Sequence, residues 1–479
     1  MQFKSQRRVR LAGHPGLILT VLCSAAFMAS LDVFIVNVAF DDIGHDFGGA
    51  HLSDLSWILN AYTIFYAALL VPAGRIADRF GRKSTFMFGL GLFTAASAAC
   101  AAAPGVWWLV GFRIAQSLGA ALLTPASLGL VIASAPAAHR ARSVRIWAAS
   151  GAFAAALGPV IGGLLVEVSW RWVFLVNVPV GIAALVATML LVPPSRDEEA
   201  QRLPDALGAT LLILAIGAMT LGLVEGSDWG WTDTRIYAAW VATLVAFGGF
   251  FISSRRHSAP VIDPALLKVR AFTWANVTAL LFSVPFAAVL LSNILWLQEV
   301  WGYSAIRTGF AVAVGPAMVP LFTVLGHRAS RRIPLGYIVA AGCLLFSAAS
   351  LYTSLSVTIH PNYTTSLLPS ALVGGAGVGL ALPTILSSAT TDLPAAQSAT
   401  GSAVVNMSRQ IGTVLGVCIL VAILGNPATA QAAHTVFRHS WWALAAVGVL
   451  AAIAAPRMTP KSPDETPSRT AAPVSDRAV

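Results

Sequence analysis

"GRIADRFGRK", Gly74–Lys83, packs four cations and one acid into ten residues between two long apolar stretches. Its surroundings make that concentration unusual. Only 10% of the 479 residues are charged, 57% are hydrophobic, and the mean hydropathy is +0.76. A soluble chain carries roughly a quarter of its residues as charges. This chain cannot cover its apolar surface with polar groups, so lipid is the expected solvent.

Working outward from Gly74–Lys83, apolar runs of about 20 residues mark membrane spans. Fourteen are found, at 16–40, 54–75, 84–103, 106–134, 142–166, 171–192, 205–225, 235–254, 273–298, 306–327, 334–356, 365–389, 398–425 and 439–456. Runs this long and unalternating exclude a barrel, and the fold class is an all-α membrane protein. The run Leu17–Phe40 is too long for the apolar region of a signal peptide and is expected to remain as the first span.

Cytoplasmic loops are enriched in Lys and Arg. With the N-terminus in the cytoplasm, 24 of the 30 Lys and Arg fall in cytoplasmic segments and 4 in external ones, with Arg113 and Arg409 inside spans. One span more or fewer would reverse every later loop and spoil the asymmetry. The expected topology is therefore multi-pass in the cell membrane, with both termini cytoplasmic. The net charge of +10 is accounted for by topology, and no nucleic-acid partner is expected. Cys23, Cys100, Cys343 and Cys418 lie far apart within spans, giving neither a disulfide framework nor metal spacing. No metal is expected, and no nucleophile–base set marks an enzyme.

Topology asks for cations in any order. It does not ask for Gly74, Asp78, Arg79, Gly81, Arg82 and Lys83 at fixed offsets. Those offsets match G-x-x-x-D-R-x-G-R-R/K, the signature between the second and third helices of the major facilitator superfamily, which this chain resembles. "LDVFIVNVAF" (Leu31–Phe40) is similar to the first-helix motif of the fourteen-helix drug:proton antiporter branch (EmrB/QacA-like), with Phe34 and Asp41 in place of its threonine and proline. "RIAQSLGAALLTPAS" (Arg113–Ser127) resembles the fourth-helix motif, with Ser117 for a glycine. "GAFAAALGPVIGG" (Gly151–Gly163) resembles the fifth-helix antiporter motif, and "WRWVFLVNVPVG" (Trp170–Gly181) the start of the sixth helix. The resemblance covers essentially the whole chain.

It implies two six-helix halves with an inserted helix pair. Weak repeats agree: "GHRASRRIP" (Gly326–Pro334) stands where a second half would repeat the opening loop, with Ser330 in place of Asp78. "GAGVGLALPT" (Gly375–Thr384) echoes the fourth span, with Ala371 in place of Arg113. The expected divisions are a cytoplasmic tail 1–15, a half 16–192, an inserted pair 193–272, a half 273–456 and a disordered tail 457–479.

Charge at membrane depth is expensive and usually functional. Asp32 and Arg113 each lie about 12 Å from the outer end of their spans at 1.5 Å per residue. Equal depth pairs them as candidates for proton coupling. An opposite charge favours a carboxylate's ionised form and burial disfavours it, so such a group can take a proton when its arginine leaves. A static ion pair that fixes helix packing is the alternative.

Gln116 shares a helix face with Arg113. With Asn37, Asn293, Trp296, Asn406 and Arg409 it is a candidate lining of a substrate cavity. Arg409 serves equally to bind an anionic group or to bond backbone carbonyls. Trp296, with Phe282 and Phe286, suits either an aromatic substrate or bundle packing. Glu167 and Glu225 fall at span ends where water can solvate them. Gly151, Gly158, Pro159, Gly162 and Gly163 are expected to form a kinked, closely packed helix sealing the interface between halves.

Gly74–Lys83 is expected to meet the second half at the cytoplasmic side, with Asp78 against the start of span 13 and Arg79 or Arg82 near Asp392. The resemblance implies proton-driven export of small amphipathic compounds such as drugs or antibiotics. That would be done by a monomer with no cofactor, its partners being the small-molecule substrate, protons and the lipid bilayer. Proton-coupled uptake of a metabolite, or a receptor or regulator on a transporter scaffold, are the alternatives.

Overall fold

A computed structural model describes residues 15–196, 203–394, 397–425, 427 and 429–459. The expected tails, apart from Pro15 and Arg457–Thr459, lie outside the described residues. Fourteen helices are long and apolar enough to cross a membrane. They are α1 Pro15–Val38, α2 Leu52–Phe80, α3 Arg82–Ala101, α4 Val106–Ser134, α5 Arg142–Val166, α6 Trp172–Leu191 and α7 Ala206–Val224. Then follow α8 Thr234–Arg256, α9 Arg270–Val300, α10 Ala305–Ala329, α11 Leu335–Ser356, α12 Tyr363–Ser388, α13 Ser398–Leu424 and α14 Ala430–Met458. No strand occurs among the described residues. The chain is a multi-pass membrane protein.

Helix pairing repeats with a shift of eight. α1 packs on α5 as α9 packs on α13; α3 on α4 as α11 on α12; α2 on α4 as α10 on α12. A shift of eight is six helices plus two, so the fold is two six-helix halves with α7–α8 inserted between them. The halves meet through α2–α13 and α5–α10, contacts that the same shift exchanges. α7 and α8 pair together, and α7 leans on α2 and α13.

Close approach is built the same way in both halves. A Cβ on Gly89 would lie 2.9 Å from the Gly119 carbonyl oxygen, and one on Gly342 would lie 2.7 Å from that of Gly377. Without an aqueous drive to associate in lipid, helices gain by backbone contact of this kind.

Three expectations are corrected. Gly74–Lys83 is hardly a loop: α2 continues through Phe80, α3 begins at Arg82, and Gly81 alone breaks the helix, at φ +106°. Only Gly81 needs glycine's left-handed freedom; Gly74 is an ordinary helical position. α14 begins nine residues before its expected start, because Gln431, His434 and Arg438 mask its first turns from a hydropathy reading. Order also continues past residue 456: Met458 is fully buried, and the Arg457 guanidinium sits 4.9 Å from the Trp274 ring.

Candidate functional site

The buried charge of the first half is collected at one point. Asp32 (α1) is fully buried, Arg113 and Gln116 (α4) are 1% and 0% exposed, and Ser97 (α3) and Asn177 (α6) are equally enclosed. Arg113 Nη1 donates to Asp32 Oδ2 and, at 2.6 Å, to Gln116 Oε1. Gln116 Nε2 donates to Asp32 Oδ1 at 2.8 Å and to Ser97 Oγ at 2.8 Å. Asn177 Nδ2 donates to Asp32 Oδ1 at 3.0 Å. From α2, the Ile58 carbonyl accepts Arg113 Nε at 3.2 Å. The guanidinium lies 4.1 Å from the Tyr62 ring centroid and 5.8 Å from that of Phe174. Five helices of one half thus converge on a single carboxylate.

Each position has a local reason. Arg113 and Gln116 are three apart and share a face of α4. Asn177 opens the second segment of α6, just after its first turn Trp172–Leu175. The depth match drew Asp32 and Arg113 together in the sequence. Asn177, Ser97 and Tyr62 were missed as site residues. Their signal was available for Asn177 alone, as a single amide in an apolar span.

The residues expected to line one cavity are dispersed. Gln116 belongs to the Asp32 cluster. Asn37 turns away from it and donates to the Val33 carbonyl of its own helix at 2.9 Å. Five residues advance a helix by about 140° beyond a full turn, which puts Asn37 on another face. Trp296 is fully buried in the second half, its ring 5.3–6.4 Å from those of Trp301, His434, Phe437 and Trp441. Phe282 is equally buried, and it packs with Phe346 and with Phe286, which is only half-buried. Asn406 donates to the Ser402 carbonyl at 3.0 Å, and Asn293 Oδ1 is buried without a hydrogen-bond partner.

Arg409 on α13 is a different case. Its Nε is buried and unbonded, so it does not hold a backbone carbonyl there. It lies within electrostatic reach of Tyr66 on α2. Tyr66 stacks on Tyr62 at 6.0 Å, so the Arg113 side of the cluster is continuous with the seam between halves.

The fifth-helix glycines divide between two partners. A Cβ on Gly158 would meet Phe34 at 2.6 Å, and one on Gly162 would meet the Ile35 carbonyl oxygen at 3.0 Å. Gly151 faces Ser30. These three pack on α1 within the half, contrary to expectation. One helical step on, Pro159 and Gly163 face α10: Pro159 abuts Gly309, and Gly163 abuts Ala305. Gln298 Nε2 bonds the Val38 carbonyl at 3.1 Å nearby. At this end, remote from Gly81, a cavity of about 340 Å³ opens between the halves, lined among others by Phe40, Asp41, His45, Leu55, Glu299 and Phe437. None of the residues expected to line a cavity borders it.

At the Gly81 end, the expected ion pair to Asp392 is not formed among the described residues. Asp78 accepts from Arg82 Nε and Nη2, both at 2.8 Å, one helical turn away. Asp392 is exposed and makes no salt bridge among the described residues. A partner four residues along the same chain costs less ordering entropy than one across the halves.

Outside the spans, Asp46 accepts from Trp170 Nε1 at 3.0 Å and Arg171 Nη1 at 2.9 Å. Those bonds, Trp170's first, hold its carboxyl below the usual range. Burial pushes Asp41 and Glu225 up. Glu225 is buried against α2, accepting from Trp57 Nε1 at 3.5 Å, and is not the solvated boundary residue expected. Among the described residues no group of three or more His, Cys, Asp or Glu could hold a metal ion.

Known proteins place this architecture. Residues 22–417 match the profile of the Major Facilitator Superfamily. The chain is 34% identical over 407 residues to the multidrug resistance protein Stp of Mycobacterium tuberculosis, covering 83% of this chain and 74% of that protein. It is 31% identical over 413 residues to the methylenomycin A resistance protein of Streptomyces coelicolor, covering 85% and 86%. Among solved structures, a POT family transporter superposes with a TM-score of 0.68 at 17% identity, over 92% of this chain and 96% of that one.

Proposed function

The chain belongs to the major facilitator superfamily, and from that premise we propose that it exports small amphipathic compounds, antibiotics among them, in exchange for protons. It is a transporter rather than an enzyme. Relatives named for multidrug and methylenomycin A resistance support the direction and substrate class. The observation that carries the coupling is the Asp32 carboxylate, fully buried and bound to Arg113 across two helices.

A buried ion pair is weak evidence for stability, because desolvating both charges offsets their attraction. Its retention fits a switch. With Arg113 in place, the ionised carboxylate is satisfied. When substrate or a movement of α4 withdraws the guanidinium, the buried charge is uncompensated and takes a proton. Tyr62 and Phe174 give the displaced cation an aromatic face to move along. The Tyr62–Tyr66 stack carries that movement to Arg409 in the other half. Gly74–Lys83 faces the cytoplasm in this reading, with both termini, in the cell membrane. The working unit is a monomer, and the proton gradient replaces any cofactor.

The test is efflux of a panel of cationic dyes and antibiotics from a pump-deficient strain, with and without this protein. Export collapses with a protonophore and survives ATP depletion at a maintained gradient. Asp32→Asn abolishes gradient-driven export while inserting normally. Undiminished gradient-driven efflux in Asp32→Asn vesicles overturns the assignment.

A further inference from the structure

Every group bonded to Asp32 is a donor. Guanidinium and both amide nitrogens only donate, so the cage as built suits an ionised carboxylate and offers nothing to a protonated one. A protonated Asp32 carries an O–H that needs an acceptor within the same sealed space. Two amides are close enough to supply one by turning over.

Gln116 is locked. Its Oε1 already accepts from Arg113 at 2.6 Å, and its Nε2 donates both to Asp32 and to Ser97. Even with the guanidinium withdrawn, turning it would break its bond to Ser97 and set its oxygen against the Ser97 Oγ. Ser97 cannot relieve that arrangement, since its own hydroxyl proton is given to the Phe93 carbonyl at 2.8 Å. Asn177 is under no such constraint. Its Nδ2 has one hydrogen bond, to Asp32 Oδ1 at 3.0 Å, and its Oδ1 accepts none among the described residues.

We infer that Asn177 is the positioning residue that reads the protonation state of Asp32: its amide donates to the carboxylate when ionised and turns over to accept the carboxyl O–H when protonated. The proton stays on the Asp32 oxygen and no covalent bond of Asn177 changes. The inference rests on the proposed proton exchange at Asp32. It adds that α6 reports each exchange to the rest of the half, because Asn177 sits at the joint between the two segments of that helix.

The test is infrared difference spectroscopy, acid minus alkaline, on protein in liposomes carrying isotope-labelled asparagine. Asp32→Asn assigns the Asp32 carboxylic band by its loss. Asn177→Leu, close in shape and without polar atoms, assigns the Asn177 amide band in the same way. The expected result is that acidification produces the Asp32 band and shifts the Asn177 amide C=O to lower frequency, and that Asp32→Asn shows no such shift. Asn177→Leu also loses about tenfold in gradient-driven efflux, as a buried O–H is left without an acceptor. An Asp32 band that appears while the Asn177 band stays fixed overturns the inference alone. If no Asp32 band appears at any pH, proton exchange at Asp32 is refuted first.

Discussion

Gly163→Ala should loosen the end of the molecule remote from Gly81, and the structure gives the size of the effect. The added Cβ would lie 2.5 Å from the Ala305 carbonyl oxygen and 2.9 Å from Ile306 Cα. Carbon–oxygen contacts of this kind settle near about 3.3 Å, so α5 and α10 must part by roughly 0.8 Å. Both obstructing atoms are backbone and cannot rotate aside. Overpacking of this sort costs about 1–3 kcal/mol. Because the strain falls on the contact between halves, it is relieved by opening this end, raising the open population about 5- to 150-fold. Leu55, which lines the cavity there and is 5% exposed, is a suitable reporter. With the four native cysteines replaced and Leu55→Cys introduced, labelling by a membrane-impermeant maleimide should accelerate at least severalfold in Gly163→Ala. Gly151→Ala is the control: its Cβ meets only the rotatable Ser30 hydroxyl, at 3.3 Å. An unchanged labelling rate in a folded Gly163→Ala protein would refute the assignment of Gly163 to the seam.

Asp78→Asn keeps every cation of Gly74–Lys83, so topology should survive; the Asp78–Arg82 pair is partly exposed, and its loss should cost less than about 1 kcal/mol of stability. A fall in transport at normal insertion indicates a gating role, and a normal rate leaves those charges to orientation alone. Glu225 gives a pH prediction. Burial first, then Asp54 and Asp228, raise its carboxyl above 4.5, against the Trp57 bond. A raised folded value means that its stabilising contribution is present below the unfolded value and lost as pH rises through the folded one. Glu225→Gln should therefore melt higher than the native protein at neutral pH, with the difference vanishing in acid. Equal melting temperatures at neutral pH would count against the burial of that carboxylate.

The number of crossings and their helical character were determined by the sequence, because lipid leaves the backbone no other partner and each crossing must be a long apolar helix. The pairing of Asp32 with Arg113 was legible for a related reason: depth in a span follows from residue count alone. Gln116 followed from helical spacing. Nothing local distinguishes Asn177 from Asn37, or Trp296 from a cavity-lining tryptophan. What separates them is which neighbouring helix each one faces, and that depends on rotation about the helix axis and on the packing of five or six elements at once. The same applies one residue at a time along α5, where Gly162 packs inside its half and Gly163 meets the other. A step of about 100° around the helix carries the chain from one partner to the next, and only the assembled bundle decides which partner stands there.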